Sequence, residues 1–261
     1  MFELQYFVIG IVQGLTEFLP ISSSGHLILV SKLTNWQDQG LFTDIAVHVG
    51  TLVAVIIYLR LHILSLIMNF FTFRMNENIN LIKIIISTLP AIITGYFLID
   101  FVHTYFRDLR IVAISSIIFA AILFIADHFK MKIYQWENMT NFQALIIGLF
   151  QILAFIPGAS RAGVTITGAR FLGLDRSSAA IFSMLLSIPI ILASLALITI
   201  EAFSSPSINV NLSQSIFAAT VACIMALISI NIMMKLLQKT TFNFFIIYRV
   251  ILGFIILYFY A

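Results

Sequence analysis

Apolar residues in this chain run in long blocks, and the polar positions between them fall at a few defined places. A helix that crosses a bilayer needs about 20 predominantly apolar residues. Five stretches come near that length, Leu41–Leu59, Leu81–Phe101, Ile111–Ala126, Ala179–Ile200 and Ser213–Leu236, and a sixth, Phe242–Tyr260, closes the chain. The run Leu61–Phe73 is too short to cross and is expected to lie at the interface or dip into it. Two further apolar stretches are interrupted. Leu4–Val30 breaks at Pro20 and the serines after it, and Ala144–Leu174 breaks at Pro157-Gly158. Each predicts helix, break, helix. Irregular backbone at membrane depth is tolerated only where protein buries it or where it lines a wet cavity, so a site is expected at the breaks.

The two interruptions resemble each other. "GIVQGLTEFLPISSSG" starts at Gly10 and "GLFQILAFIPGASRAG" at Gly148. With one residue gapped, Gly10 pairs with Gly148, Gln13 with Gln151, Pro20 with Pro157 and Ser23 with Ser160. Chance similarity within so apolar a chain is one reading, and internal duplication of the transporter kind is the other. Duplication predicts a single membrane domain over residues 1–261, with one repeat over about 1–110 and the other over about 111–261. In the simplest threading Arg60, Arg74, Lys83, Lys130, Lys132, Arg176, Lys235 and Lys239 share one side, against Lys32, Arg107 and Arg110 on the other. The richer side is expected to be cytoplasmic. The loop Glu201–Asn211, with no Lys or Arg, falls outside. Three full crossings then separate the broken segments, so they enter from opposite faces as an inverted pair. Arg107 and Arg110 run against that threading.

Composition fixes the solvent. Hydrophobic residues make up 61% of the 261 and charged ones 10%, where soluble domains carry about 25% charged. The chain therefore reads as an all-α polytopic membrane protein with about six full spans and two broken, re-entrant helix pairs. The net charge of +3 is assigned to the cytoplasmic loops, and no pattern suggests a nucleic-acid partner. The single Cys223 excludes an intrachain disulfide and a multi-cysteine metal site. No basic segment or small-residue cleavage site opens the chain, so the first segment is expected to be retained. The oligomeric state is left open, a homodimer included.

Candidate chemistry gathers at the breaks. Gln13 and Glu17, four apart, share a helix face with Thr16 and Pro20 beside them. A carboxylate deep in a bilayer is costly and persists where it works or pairs. Ser22, Ser23, Ser24 and Gly25 should start a new helix, whose unpaired backbone N–H groups attract phosphate; plain capping of a re-entrant helix is the blander alternative. The second break, "PGASRAG", adds Gly158, Ser160 and the permanent cation Arg161, whose planar fork suits phosphate oxygens. Structural pairing of Arg161 with Glu17 is the competing role. Arg170, nine residues on, is expected to approach the cytoplasmic interface. Asp44 and His48 form another i, i+4 pair, read as structural or interfacial because neither falls at a break. His62, His103 and His128 read as loop or interface residues. The G-x-S-x-G elbow of serine hydrolases is absent.

At these residues the chain resembles a known family. "GIVQGLTEFLPISSSGHLIL", "HVGTLVAVIIYLR" and "PGASRAGVTITGARFLGLDRSSAAIFSMLLSIP" are similar to the undecaprenyl-diphosphate phosphatases, also called bacitracin-resistance proteins. The resemblance covers the whole chain in length and segment order. It implies a bacterial plasma-membrane enzyme that removes the terminal phosphate of undecaprenyl diphosphate and so recycles the carrier lipid of peptidoglycan synthesis. It implies an inverted repeat whose pocket opens to the outer face. The family's Glu/Gln-rich motif falls on Gln13 and Glu17, its serine-histidine stretch on Ser22, Ser23 and His26, and its last motif on Pro157 to Arg161. The family motif allows Glu or Gln first; Gln13 concentrates acid–base and metal duty on Glu17. Ala162 stands where the family often has serine.

The expected reaction is hydrolysis of a polyprenyl diphosphate with Mg²⁺ or Ca²⁺ held by Glu17 and Gln13. Arg161 and the two helix starts, with Ser22, Ser24, Gly25, Gly158 and Ser160, hold the diphosphate. His26 is the expected general acid or base, and Ser23 either the nucleophile or a positioning hydroxyl. The rival class is a transporter or flippase for a polyprenyl phosphate on the same scaffold. A structural membrane subunit would leave Glu17 and Arg161 unexplained.

Overall fold

A computed structural model of the chain describes residues 2–34, 36, 41–71, 75–105, 108–129, 132, 135–204 and 212–260. Among these residues the protein is helical, without strands. The loop charges Arg74, Arg107 and Lys130, and most of the loop 201–211, lie outside the described residues.

Among the described residues five helices are long and apolar enough to cross a membrane: α5 (Met75–Tyr105), α6 (Leu109–Asp127), α9 (Arg176–Ser204), α10 (Leu212–Leu237) and α11 (Asn243–Tyr260). The remaining expected span, Leu41–Leu59, is the first arm of a bent pair. The helix α3 (Leu41–Tyr58) turns by 77° into α4 (Arg60–Phe71), so the short run after Leu59 leaves the line of the span. Both interrupted stretches fold as expected. The first consists of α1 (Phe2–Thr16), a break, and α2 (Ser23–Thr34). The second consists of α7 (Asn141–Ile152), a short 3-10 turn at Leu153–Phe155, a break, and α8 (Arg161–Phe171).

The two short helices that lead into the breaks each pack on a long helix from the other half of the chain. Along α1, Gly10 and Gly14 lie so close to α10 that a Cβ on either would strike the carbonyl of Ala218 or Ala222. Along α7, Gly148 lies equally close to the Ser87 carbonyl of α5. Small residues allow this backbone approach, which supplies dispersion and polar contacts where lipid offers no hydrophobic drive between helices. Ser229 Oγ donates to the Leu15 carbonyl at 2.8 Å, and Ser87 Oγ to that of Ala144 at 2.7 Å. Gly10 and Gly148, matched in sequence, thus do the same work.

The structure keeps the Gln13–Gln151 pairing but removes the gap, shifting the part of the match after it by one residue. Ser22 and Ser160 both adopt left-handed backbone, with φ of 72° and 70°. Each stands immediately before its helix, and each hydroxyl accepts from the N–H three residues on, Gly25 at 3.4 Å and Gly163 at 3.1 Å. Ser22, not Ser23, is the counterpart of Ser160; Ser23 corresponds to Arg161, and the prolines fall one residue out of step.

A buried ionic knot closes the far end of α8. Arg170 Nε meets Asp127 at 3.0 Å and Arg176 Nε meets the same carboxylate at 2.8 Å, while the Phe242 N–H donates to its other oxygen at 3.2 Å. Arg170 is buried and joins α8 to α6, so it is a structural cation inside the bundle. Lys83 is also buried, donating to Asn80 and to the Glu137 carbonyl.

Candidate active site

Glu17 follows directly on α1, its N–H still donating to the Gln13 carbonyl at 3.0 Å, so its side chain projects from the helix end across the break. Its Oε1 accepts from Arg161 Nη2 at 2.9 Å. Its Oε2 accepts from Ser23 Oγ at 2.7 Å and from Gln13 Nε2 at 2.9 Å. Ser23 and Arg161 are the first residues of α2 and α8. One buried carboxylate therefore ties together two helix starts, whose unpaired N–H groups and positive dipole ends favour an anion. The Arg161 guanidinium also donates to the Ser183 carbonyl at 3.1 Å and lies 6.0 Å from the Phe18 ring centre. It is held in place before any ligand arrives.

These groups open on a cavity of about 410 Å³. Glu17, Ser22, Ser23, Ser24, Ser160 and Arg161 form its polar wall, and most of the remaining lining is apolar. Of the residues the sequence assigned to the site, these six come together. Gln13 lies one layer behind Glu17, fully buried, with its Oε1 accepting no hydrogen bond. Gln151, its counterpart on α7, reaches the wall; its Nε2 donates to the Ser87 carbonyl at 3.3 Å, and its Oε1 is likewise without a partner.

His26, Gly25 and Gly158 do not line the cavity. His26 lies on the other side of α2, its Nδ1 donating to the Ser22 carbonyl at 2.7 Å and its Nε2 bonded to the Tyr248 hydroxyl at 2.6 Å. The two rings are parallel within 6°, with centres 5.7 Å apart. Gly158, with φ of 88°, presses on Val112 and Ser115, where any Cβ would collide. The imidazole on the cavity wall is His48, accompanied by Asp44. His48 Nδ1 donates to the Asp44 carbonyl at 2.6 Å, which turns Nε2 toward Glu17 Oε2 at 3.9 Å. Their i, i+4 spacing placed both on one face of α3; only the packing of α3 against the breaks gives that face to the cavity.

Sequence reasoning also passed over Arg249, which is fully buried in α11. Its Nη1 donates to the Pro20 carbonyl at 3.2 Å, and its Nη2 to the carbonyls of Gly158 and Ala159 at 2.9 and 3.1 Å. A single side chain thus holds both breaks from behind. An arginine inside an apolar 18-residue helix is the kind of intramembrane charge that marks a functional or architectural centre, and that signal was present.

Among the described residues no group of three or more His, Cys, Asp or Glu side chains is placed to form a protein-only metal cage. The wall does carry two carboxylates, Glu17 and Asp44. That donor set suits a hard cation bound largely through phosphate oxygens, as Mg²⁺ commonly is.

Residues 6–255 match the family described as bacitracin resistance protein BacA. The chain is 44% identical over 249 residues to an undecaprenyl-diphosphatase from Saccharophagus degradans, covering 94% of this chain and 93% of that one. It is 38% identical to an undecaprenyl-diphosphatase from Alcanivorax borkumensis, with 98% of each chain covered. A third, from Campylobacter curvus, is 39% identical with 96% of each covered.

Proposed function

Because the chain belongs to the bacitracin resistance protein BacA family, we propose that it is an undecaprenyl-diphosphatase, cutting the lipid diphosphate to undecaprenyl phosphate and inorganic phosphate. The observation that carries this reading is the chain Ser23–Glu17–Arg161 across two helix starts. Phosphoryl transfer asks for charge stabilisation, a placed nucleophile and a proton acceptor, and these residues supply all three.

The terminal phosphate lies at the starts of α2 and α8, where backbone N–H groups and Arg161 take its oxygens. Ser23 Oγ attacks the terminal phosphorus while its proton passes to Glu17 Oε2, the oxygen it already faces. The P–O bond to the inner phosphate breaks, and undecaprenyl phosphate leaves. Water then hydrolyses the phosphoserine, releasing phosphate and restoring the hydroxyl. Gln13 holds Glu17 in register. His48 borders the same oxygen as a hydrogen-bonding group of the wall. His26 positions the break by holding the Ser22 carbonyl. A divalent cation, Mg²⁺ or Ca²⁺, would be held by Glu17 and Asp44 with the diphosphate oxygens, and when bound it neutralises charge on the phosphoryl group.

The broken segments enter from opposite faces of a bacterial plasma membrane, and the cavity opens to its outer face. The support is the excess of Lys and Arg on the other side of the threading. One-sided labelling of engineered cysteines tests this: a cysteine beside Arg176 should be unreactive from outside, and labelling there overturns the orientation.

The activity is tested by phosphate release from undecaprenyl diphosphate by detergent-purified protein, with and without chelator. Release that needs a divalent cation is expected. No release under any metal condition would return the reading to transport of a lipid phosphate.

A further inference from the structure

A second cavity, of about 340 Å³, lies between α4, α5 and α9 and is almost wholly apolar. We infer that it receives the hydrocarbon chain of the substrate as that chain leaves the polar cavity; this rests on the diphosphatase reading above.

The two cavities occupy one continuous pair of helix stripes. On α5, Ile84 and Thr88 line the apolar groove, and Ala91, the next residue on that face, lines the polar cavity. On α9, Ile188 lines the groove, while Ile191 and Leu195, three and seven residues on, line the polar cavity. Residues at such spacings share one side of a helix. A chain that leaves the phosphate site along α5 and α9 therefore runs from one cavity into the other without crossing a helix.

The junction is marked on both helices. Pro90 lies between Leu89, a groove residue, and Ala91 on the cavity wall; Pro189, itself a groove residue, lies between Ile188 in the groove and Ile190 on the wall. A proline inside a helix removes one i to i−4 hydrogen bond and bends the backbone. Both helices thus carry a bending device at the level where residues of the two linings stand side by side, Ala91 beside Ile92 and Ile191 beside Leu192.

The groove's chemistry commits it to one occupant. Its lining offers almost no polar surface, so a headgroup or peptide would lose hydrogen bonds there without replacement. A flexible prenyl chain loses none. The ordinary acyl chains of the bilayer share that chemistry, but they have no phosphate anchored at Arg161 to raise their local concentration. Tethering through the headgroup converts occupancy of the groove into an intramolecular event. The groove then discriminates between a prenyl chain long enough to reach it and one too short.

Leu192, on the groove wall and half exposed, tolerates a larger side chain without disturbing the core. The test compares Leu192→Trp and Ile92→Trp with Ile93→Trp, a more exposed position on α5 that does not line the groove. Phosphate release is measured on undecaprenyl diphosphate and on isopentenyl diphosphate, whose chain ends before the groove. Expected for the two groove variants is a fall of about tenfold or more in kcat/KM on the long substrate, the scale of discrimination an apolar pocket supplies, with the short substrate and Ile93→Trp unchanged. Equal activity of all three variants on the long substrate overturns the inference, as does an equal loss on both substrates. If the wild type releases no phosphate from either, the diphosphatase reading fails and the groove is judged by labelling alone. A prenyl diphosphate with a diazirine on its chain should then crosslink to α5 and α9 in the groove, and excess undecaprenyl diphosphate should compete. Labelling spread over the outer faces of the spans, without competition, overturns it.

Discussion

Arg161 Nη2 and Glu17 Oε1 meet at 2.9 Å, joining the first residue of α8 to the end of α1. Neither residue is within a full span; each lies where a short helix stops or starts, and each depends on the other segment for its partner. The pair is largely shielded from solvent, so its members are not interchangeable with other charges.

Arg161→Ala should lower phosphate release by about 10² to 10³, the usual loss when one preorganised donor to developing charge is removed. Arg161→Lys should recover little, because an ammonium cannot keep the Glu17 and Ser183 contacts and also fork onto phosphate. Steady-state kinetics on undecaprenyl diphosphate decide it. Near wild-type rates for the lysine variant would mean that the guanidinium fork does not hold the transferring phosphate.

Glu17→Gln should abolish turnover while the protein stays monodisperse in detergent, since an amide keeps the shape but accepts no proton. Glu17→Ala should in addition lower the thermal unfolding midpoint, because Arg161 is left partly buried without its partner. Turnover by Glu17→Gln above about 1% of wild type would mean that a group other than Glu17 takes the proton; a loss of that size is well within the usual worth of a general base.

Ser23→Ala should block formation of the phosphoserine and reduce release by at least about 10³, the scale seen when a nucleophile is deleted from a working site. Rapid quench followed by phosphopeptide mapping should find the modified residue at Ser23 in the wild type. Full hydrolysis by Ser23→Ala excludes attack by serine and leaves water, activated by Glu17, as the nucleophile.

Gly158→Ala should be worse than Gly25→Ala. Gly158 has φ of 88° and a Cβ there would strike the Val112 carbonyl, whereas at Gly25 it would meet a side-chain methyl of Val112 at 3.0 Å. Left-handed strain alone costs about 1–3 kcal/mol. The expected result is loss of folded yield and of activity for Gly158→Ala, with a milder deficit for Gly25→Ala, followed by thermal melts in detergent.

His26 and His48 should separate by the kind of defect they cause. Tyr248→Phe removes one hydrogen bond from His26 and should cost at most about fivefold, the worth of roughly 1 kcal/mol. His26→Ala also frees the Ser22 carbonyl and should act through the shape of the break, so His26→Asn, with a donor for that carbonyl, should recover part of the rate. His48→Ala leaves the break alone and should lower turnover without altering the thermal midpoint. Equal unfolding midpoints and equal rates for all of them would deny both assignments.

The spans were legible in the sequence because hydropathy along one dimension determines which segments stay in lipid. The breaks were legible because proline, glycine and serine interrupt that pattern for stated backbone reasons. What could not be read was how the segments face one another. Asp44 and His48 share a helix face by spacing alone, but nothing local says that the face turns to Glu17. The register between the two broken segments stayed ambiguous because prolines and serines align best at different shifts; the left-handed φ at Ser22 and Ser160 decides it. Arg249 was legible in principle as a charge in an apolar helix, yet its partners are carbonyls from two breaks remote in the chain, which spacing cannot reveal.

Arg249 gives that arrangement an electrical consequence. Its hydrogen bonds go to neutral oxygens, three backbone carbonyls and the Ser116 hydroxyl, while Arg161 is matched by Glu17. A guanidinium does not give up its proton under ordinary conditions. The two breaks are thus tied by two cations and one carboxylate, and the second negative charge stands across the cavity, on Asp44. A cation held by neutral oxygens behind the breaks keeps their carbonyls turned inward and leaves the helix-start N–H groups free to meet the diphosphate, and to meet the released phosphate in the same way.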